Sequence, residues 1–190
     1  MQENLTRTKR IESIDLLRGI VMVIMALDHV RDYFHAGNFL YSPDDMTQTN
    51  APVFFTRWIT HFCAPVFVFL AGTSAFLVAE RKTKKTLSLF LLKRGLWLML
   101  LELTVISFAW NFDPDFRFFR LQVIWVLGLG MVIMSLLIYL PPKLILATGL
   151  IILFGHNLLD NIHATGNSWR DILWGELHER KRFTIGGHII

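Results

Sequence analysis

The segment from Asp15 to His35 (DLLRGIVMVIMALDHVRDYFH) has the length and apolar character of a membrane-spanning helix, yet it carries several ionisable side chains. An ionisable side chain in hydrocarbon costs at least ~2.5 kcal/mol on insertion scales, so such residues usually face the interior of a bundle and mark a functional site. At helical spacing one stripe is polar at both ends and apolar in the middle, formed by Asp15, Arg18, Met22, Met25, His29 and Asp32. The segment therefore predicts a membrane helix with a functional polar face.

The composition indicates that this helix is one of several. Apolar residues make up 53% of the 190 residues and charged residues 18%, and the mean hydropathy is +0.45. A hydrocarbon core of about 30 Å needs about 20 helical residues. Five segments meet that length, at residues 13–36, 52–79, 87–110, 120–140 and 143–160. We expect an all-α, polytopic transmembrane bundle of about five spans that forms one membrane domain over residues 1–190.

Three other classes of protein are disfavoured. A cleavable signal peptide would explain the basic residues at 7–10, but the apolar run that follows is too long and contains Asp15 and Arg18. The single Cys63 cannot form an internal disulfide, and no Cys/His spacing resembles a zinc site, so no metal is expected. A pI near 9.5 would suit nucleic-acid binding, but the basic residues lie where membrane topology would place them. We expect no nucleic-acid partner.

The distribution of basic residues predicts the orientation of the bundle. The loop at residues 37–50 has no Lys or Arg, whereas the loop at residues 81–85 has four. The positive-inside rule therefore places the N-terminus and the second loop in the cytoplasm. Residues 161–190 then follow the fifth span on the outside, with a turn at residues 165–167. Because residues 183–190 resemble the start of another apolar run, we expect the chain to be the N-terminal part of a longer membrane domain.

This topology places polar residues of all five segments in the outer half of the membrane, which predicts a cavity there. The candidates for lining an acceptor pocket are His35, His61, Gln122, Trp125 and His156. The three histidines among them also have alternative, structural roles. His35 lies where the first helix leaves the membrane, His61 precedes a kink expected at Pro65, and His156 could cap the fifth helix.

His29 is the candidate general base. Histidine titrates near physiological pH, and a neighbouring carboxylate can fix its tautomer and stabilise the imidazolium. Asp32 lies on the same face of the helix and could play that part, as could Asp28. The alternative is a structural histidine that hydrogen-bonds to a neighbouring helix.

On the cytoplasmic side, Arg18 and Arg94 are candidates for binding phosphate groups. The alternative for Arg18 is an ion pair with Asp15, three residues earlier, and the alternative for Arg94 is contact with anionic lipid heads. Glu102 lies inside an apolar run. We expect it to form a buried ion pair with Arg18, Arg94 or Arg120 rather than to act as a catalyst.

Four pieces of the chain together resemble the catalytic domain of the heparan-α-glucosaminide N-acetyltransferase family. They are RIESIDLLRG at 10–19, APVFVFLAG at 64–72, LQVIW at 121–125 and GHNLLD at 155–160. The resemblance implies acetyl transfer across the membrane, from cytoplasmic acetyl-CoA as co-substrate to a sugar amine or hydroxyl on the other face, with an essential histidine. The wider superfamily of membrane sugar O-acetyltransferases has a similar first helix, with a histidine eleven residues after an Arg-Gly pair; Arg18 and His29 match that spacing.

Three functional hypotheses follow. The first is a membrane acyltransferase in which His29 is the base, Asp32 or Asp28 orients it, and Arg18 and Arg94 attract the phosphates of CoA. The resemblance to bacterial relatives implies the bacterial inner membrane, with the lipid bilayer and a sugar or glycan acceptor as partners; the sequence leaves open whether a homo-oligomer forms. The second is a proton-coupled carrier, because intramembrane Asp/His chains also relay protons. The third is a non-catalytic fragment that needs a partner.

Overall fold

The computed structural model describes residues 12–39, 41–119, 121–178, 183–185 and 188–189. The chain divides into two compact units, residues 1–77 and 78–190. Both units are built from helices, as the sequence predicts. Within the described ranges, strand pairing is limited to β1 (Thr184–Ile185) and β2 (His188–Ile189), which are antiparallel.

The first unit is built on α1 (Glu12–Phe34), a helix of 23 residues. A 3₁₀ turn at Ala36–Phe39 follows, and α2 covers Ala51–Thr60. Asn50 caps α2, with its side-chain oxygen accepting the backbone N–H of Val53 at 3.0 Å. Helix α2 packs against α1. The sequence predicted this first helix over residues 13–36, and α1 covers Glu12–Phe34.

The second predicted segment, residues 52–79, consists of two helices instead of one. Helix α2 ends at Thr60, and α3 covers Cys63–Ala79. Pro65 accounts for the interruption: it has no N–H to offer the carbonyl of His61, but it is tolerated in the first turn of a new helix. The kink expected at Pro65 is thus a break at residues 61–62, one turn earlier.

The second unit begins with α4 (Lys84–Leu101), which continues through a π-helical segment at Glu102–Ile106 into α5 (Ser107–Asn111). These three pieces correspond to the predicted segment 87–110. The next helix, α6, covers Val123–Leu137, which lies within the predicted segment 120–140 and is shorter than it.

Helices α4 and α6 cross at two glycines. A Cβ atom on Gly95 would lie 2.6 Å from the carbonyl oxygen of Gly128, and one on Gly128 would lie 2.8 Å from that of Gly95. The hydroxyl of Ser88 also donates to the carbonyl of Ser135 at 2.8 Å. Small residues let membrane helices approach closely, and Gly95 and Gly128 do so here.

The end of the second unit holds a helix that the sequence analysis did not predict. Helix α7 (Pro142–Gly155) leads into a 3₁₀ turn at His156–Leu159, and α8 covers Trp169–Leu177. Ser168 and Asp171 form a capping box at the start of α8. The Ser-x-x-Asp pattern is a sequence signal for such a helix start.

The number of spans predicted, five, stays a prediction. Among the described residues, two stretches are long and apolar enough to cross a membrane: Ala51–Ala79, with 29 residues, and Pro142–Leu159, with 18. Helix α6 is apolar but shorter. Large side chains on the second stretch are open to the surroundings, with Phe154 77% exposed and Ile151 71% exposed. Apolar surface of this kind needs cover by lipid or protein. The cytoplasmic placement of the N-terminus stays a prediction.

Candidate functional site

The polar face of α1 meets α2 at Asp28. The carboxylate of Asp28 accepts the hydroxyl of Thr60 at 2.7 Å and lies 3.4 Å from Nη1 of Arg57. It also forms an ion pair with Arg31 on its own helix. Asp28 is thus a shared acceptor for two guanidinium groups and one hydroxyl.

Arg31 is the most buried charged residue of this cluster, at 8% exposure. Besides Asp28 it contacts the carboxylate of Asp32, with 3.4 Å between Nη2 and Oδ1, and the hydroxyl of Thr56, at 3.5 Å from Nη1. The two acids proposed as partners of His29 therefore share this arginine. A buried guanidinium needs such acceptors, because an uncompensated buried charge is strongly destabilising.

The three histidines of the first unit lie at different points along its helices. His29 is half-buried in the middle of the polar face of α1. His35, also half-buried, follows the end of α1, and its ring meets that of Tyr41 edge-on at 6.3 Å. His61 is exposed at the break between α2 and α3.

Arg18 is bound by protein groups at the other end of α1. Its guanidinium lies 3.3 Å from the carboxylate of Asp15, and it donates to the carbonyl of Leu70 at 3.4 Å and to the hydroxyl of Ser74. The ion pair with Asp15, the alternative weighed for Arg18, is confirmed. Its contact with α3 ties the first helix to the third within the first unit.

Glu102 is fully buried at the start of the π-helical segment, at 0% exposure. One of its carboxylate oxygens accepts the backbone N–H of Gln122 at 2.9 Å. The expected ion pair with Arg94 is wrong, since Arg94 is exposed and the only contact of Glu102 in the described part of the chain is this backbone group. Arg120 lies outside the described residues. π-bulges inside α-helices are frequent at functional sites.

Gln122 and Trp125 lie at the start of α6, and both are half-buried. The contact of Gln122 with Glu102 fixes the entry to α6 against the π-helical segment. His29, His35 and His61 thus belong to the first unit and Gln122, Trp125 and His156 to the second, and the single cavity expected for them stays a prediction.

Arg94 lies on an open face of α4 together with Lys93. A shallow surface pocket follows this helix and combines both cations with aromatic and aliphatic side chains; its lining is Phe90, Lys93, Arg94, Trp97, Leu98 and Leu101. Cations beside an aromatic face can hold the phosphates and the base of a nucleotide.

His156 belongs to a cluster that the sequence did not predict. Its Nε2 lies 3.1 Å from Nδ1 of His178, and Nε2 of His178 lies 3.3 Å from the carboxylate of Asp160. The two imidazole rings are 4.3 Å apart between centroids. Asp160 follows His156 by four residues, whereas His178 lies 22 residues away and follows an unpredicted helix.

Sequence reasoning also missed the partners of Asp28 and Arg18. Arg57 was the detectable signal, because a charged residue inside a membrane-length apolar segment is rare and usually paired. Thr60 follows it by three residues and so lies on the same face of α2. Ser74 carried no signal beyond its place in a run of small residues.

Comparison with known proteins adds one finding. A family model described as "Heparan-alpha-glucosaminide N-acetyltransferase, catalytic" matches residues 10–185. No curated protein and no solved structure gives a significant match. The matched range includes all four of the segments that carry the resemblance and both units of the fold. The chain belongs to the heparan-α-glucosaminide N-acetyltransferase catalytic family.

Proposed function

We propose that this protein is an integral membrane acetyltransferase that moves an acetyl group from cytoplasmic acetyl-CoA to a sugar acceptor on the opposite face of the membrane. The family match over residues 10–185 carries the proposal. The family name denotes an N-acetyltransferase, and two helical stretches could cross a membrane. The donor, the acceptor and the bacterial inner membrane as its place are parts of the proposal.

In the proposed reaction His29 is the general base. It accepts a proton from the hydroxyl or the amine of the acceptor. The acceptor oxygen or nitrogen attacks the thioester carbonyl at the same time. The carbon–sulfur bond then breaks, and the departing CoA thiolate takes up a proton. Base catalysis matters for a hydroxyl acceptor in particular, because an unactivated hydroxyl is a poor nucleophile.

The two neighbouring acids have different proposed roles. Asp28 is engaged by Arg57 and Thr60 of α2, which suits a residue that positions α1 against α2. Asp32 lies 3.4 Å from Arg31, and it follows His29 by three residues on the same face of α1. We therefore assign to Asp32 the orientation of His29, and to Asp28 the support of the helix that carries both.

The acceptor would be held by hydrogen-bonding side chains and an indole. Within the first unit we assign this role to His35 and His61; for Gln122, Trp125 and His156 of the second unit it stays a prediction from the sequence. His61 is exposed beside a break in its helix, where a side chain can reach a ligand without unwinding regular structure.

The donor would be held by cations. CoA carries a diphosphate and a 3′-phosphate, which suit the exposed Lys93 and Arg94 beside Trp97. Arg18 is already held by Asp15, Leu70 and Ser74. It has N–H groups beyond these contacts and remains a candidate for one phosphate.

Acetyl transfer from labelled acetyl-CoA to a panel of amino sugars and surface glycans tests this function. Membranes that contain the wild-type chain should label an acceptor, and membranes that contain His29→Ala should not. His163→Ala, a histidine outside the proposed site, is the matched control.

A proton-coupled carrier is the second candidate, and Glu102 is the observation that favours it. This acid is fully buried, and within the described residues only one of its carboxylate oxygens has a hydrogen-bond partner. Buried acids in membrane helices carry protons in many transporters. Purified protein in liposomes would then move solute or protons down a pH gradient without acetyl-CoA, and Glu102→Gln would abolish that flux.

A further inference from the structure

The end of the second unit brings two imidazoles and one carboxylate together. His156 and Asp160 are four residues apart at the end of α7, and His178 follows the last residue of α8. The side chain of His178 is only 7% exposed, whereas that of Asp160 is 59% exposed. The cluster is therefore buried on one side and open on the other.

The spacing of the ligating atoms matches a metal centre. One atom from each of the three residues can be chosen so that all lie within 4.8 Å of one another. Ligand atoms around a tetrahedral zinc ion at about 2.0–2.1 Å lie roughly 3.4 Å apart. Nε2 of His156 and Nδ1 of His178, 3.1 Å apart, are close to that separation. The 3.3 Å contact of Asp160 is to the other ring nitrogen of His178, so the carboxylate would have to turn toward Nδ1 to bind the same ion.

We propose that His156, Asp160 and His178 bind one Zn²⁺ ion. The ligands would be Nε2 of His156, one ring nitrogen of His178 and a carboxylate oxygen of Asp160. Two imidazoles and one carboxylate favour zinc over magnesium or calcium, which prefer oxygen ligands. Three protein ligands leave one position of a tetrahedral ion open, and the exposed side of Asp160 places it toward the surroundings.

The fold holds His178 in place for such a role. The indole N–H of Trp174, one turn earlier on α8, donates to the carbonyl of Ile162 at 2.7 Å, which ties α8 to the chain just after Asp160. The rings of Trp174 and His178 lie 4.8 Å apart. The capping box of Ser168 and Asp171 fixes the other end of α8.

The competing account is a hydrogen-bonded chain without a metal. His178 uses one ring nitrogen toward His156 and the other toward Asp160, so the three residues could form an Asp–His–His relay in which each group is satisfied. The two accounts differ in one respect. Zinc binding replaces both of these hydrogen bonds with coordinate bonds, whereas the relay has no affinity for the ion.

The test is metal binding to the full chain purified in detergent and stripped with a chelator. Zn²⁺ is titrated by calorimetry, and Co²⁺ is used as a spectroscopic substitute whose visible absorption reports tetrahedral coordination. We expect one saturable site per chain. Removal of a direct ligand should weaken binding by more than about 100-fold, since loss of even an outer partner of a metal ligand costs 10–100-fold.

Two variants and one control separate the accounts. His178→Gln removes the buried ligand, and Asp160→Asn changes an exposed side chain that the fold should tolerate. His163→Gln alters a histidine near the cluster but outside it, and it should leave the affinity unchanged. The absence of saturable binding in the wild-type chain would establish the relay and overturn the proposal. Equal binding by wild type and Asp160→Asn would overturn it as well. Neither readout depends on acetyl transfer.

Discussion

Arg57 of α2 lies 3.4 Å from the carboxylate of Asp28 on α1, and this ion pair joins the two helices at the centre of their polar contact. Membrane helices gain little from the hydrophobic effect when they associate, because lipid tails are as apolar as their side chains. Polar contacts of this kind therefore contribute a large part of the free energy of association between such helices. Thr60, which also donates to Asp28, strengthens the same contact.

Replacement of Asp28 by Asn and of Arg57 by Gln should reveal this coupling. Asp28→Asn leaves the buried Arg31 without full compensation, and an uncompensated buried charge costs about 3 kcal/mol or more. Arg57→Gln should cost less, because the side chain of Arg57 is 34% exposed and Asp28 keeps its ion pair with Arg31. We expect each variant to lower the free energy of unfolding in mixed micelles. The double variant should show a coupling of about 0.5–3 kcal/mol.

Asp115 and Arg117 provide the matched control for this cycle. They form an ion pair at 2.6 Å whose side chains are 61% and 67% exposed. Exposed pairs contribute about 0–1 kcal/mol, so the same pair of substitutions there should give a small coupling. A coupling for Asp28 and Arg57 no larger than that of the control would contradict the account of the first unit.

Gly95→Ala should destabilise the second unit. The new Cβ would lie 2.6 Å from the carbonyl oxygen of Gly128, and neither backbone can move without separating α4 from α6. Overpacking of this kind costs about 1–3 kcal/mol. Gly130→Ala on α6 is the control, since its Cβ would have no atom within 4 Å. Alanine there should be neutral or stabilising by up to about 1 kcal/mol. Thermal unfolding measures both, and equal midpoints for the two variants would contradict the close crossing.

The capping box of α8 should make its stability depend on pH. The hydroxyl of Ser168 donates to the carboxylate of Asp171, and the backbone N–H of Thr165 adds a bond at 3.1 Å. These bonds lower the pKa of Asp171 below its ordinary value. Because the pKa is lower in the folded state, the stabilisation is complete above the unfolded value of about 3.9 and is lost as the pH falls through the folded one.

The comparison of wild type with Asp171→Asn measures this effect. The variant lacks the ionised acceptor at every pH, so its unfolding midpoint should lie below that of wild type at pH 7 and approach it near pH 3. Ser168→Ala should behave in the same way, because it removes the main cause of the lowered pKa. A gap between wild type and variant that persists unchanged at pH 3 would show that the carboxylate charge has no part in the cap.

Lys93 and Arg94 should contribute to donor binding. Replacement of either by Gln removes a charge-assisted hydrogen bond to a phosphate, which is typically worth about 1.5–3 kcal/mol, so CoA affinity should fall by roughly tenfold to a hundredfold. In kinetics, KM for acetyl-CoA should rise more than kcat falls. Arg117→Gln is the control for loss of an exposed arginine. Unchanged CoA affinity in both Lys93→Gln and Arg94→Gln would contradict the assignment of the donor site to α4.

The sequence predicted the helical class, the family and the polar face of α1, because each rests on local composition and spacing. The ion pair between Arg18 and Asp15 was also within reach, since residues three apart on a helix are neighbours. The break before Pro65 was close to the prediction because the effect of a proline is also local. A residue without an N–H acts on its own turn of helix, whatever the rest of the chain does.

Contacts between distant residues were not within reach. Glu102 accepts a backbone N–H that lies 20 residues away, and no rule of spacing distinguishes that partner from an arginine. His178 meets His156 only because α8 turns back toward the end of α7. Helix length was also out of reach: residues 120–140 have the length of a membrane span, whereas α6, within that range, has 15 residues.

The central claim is that this chain transfers acetyl groups with His29 as the base. The most direct measurement is the rate of transfer from labelled acetyl-CoA by purified wild type, His29→Gln and His163→Gln, each reconstituted in liposomes with the acceptor on the far side. We expect transfer by wild type and by His163→Gln, and a loss of at least about 100-fold for His29→Gln with unchanged CoA binding and thermal stability. Transfer by His29→Gln at the wild-type rate would contradict the assignment of the base, and the absence of transfer by all three proteins would contradict the proposed function itself.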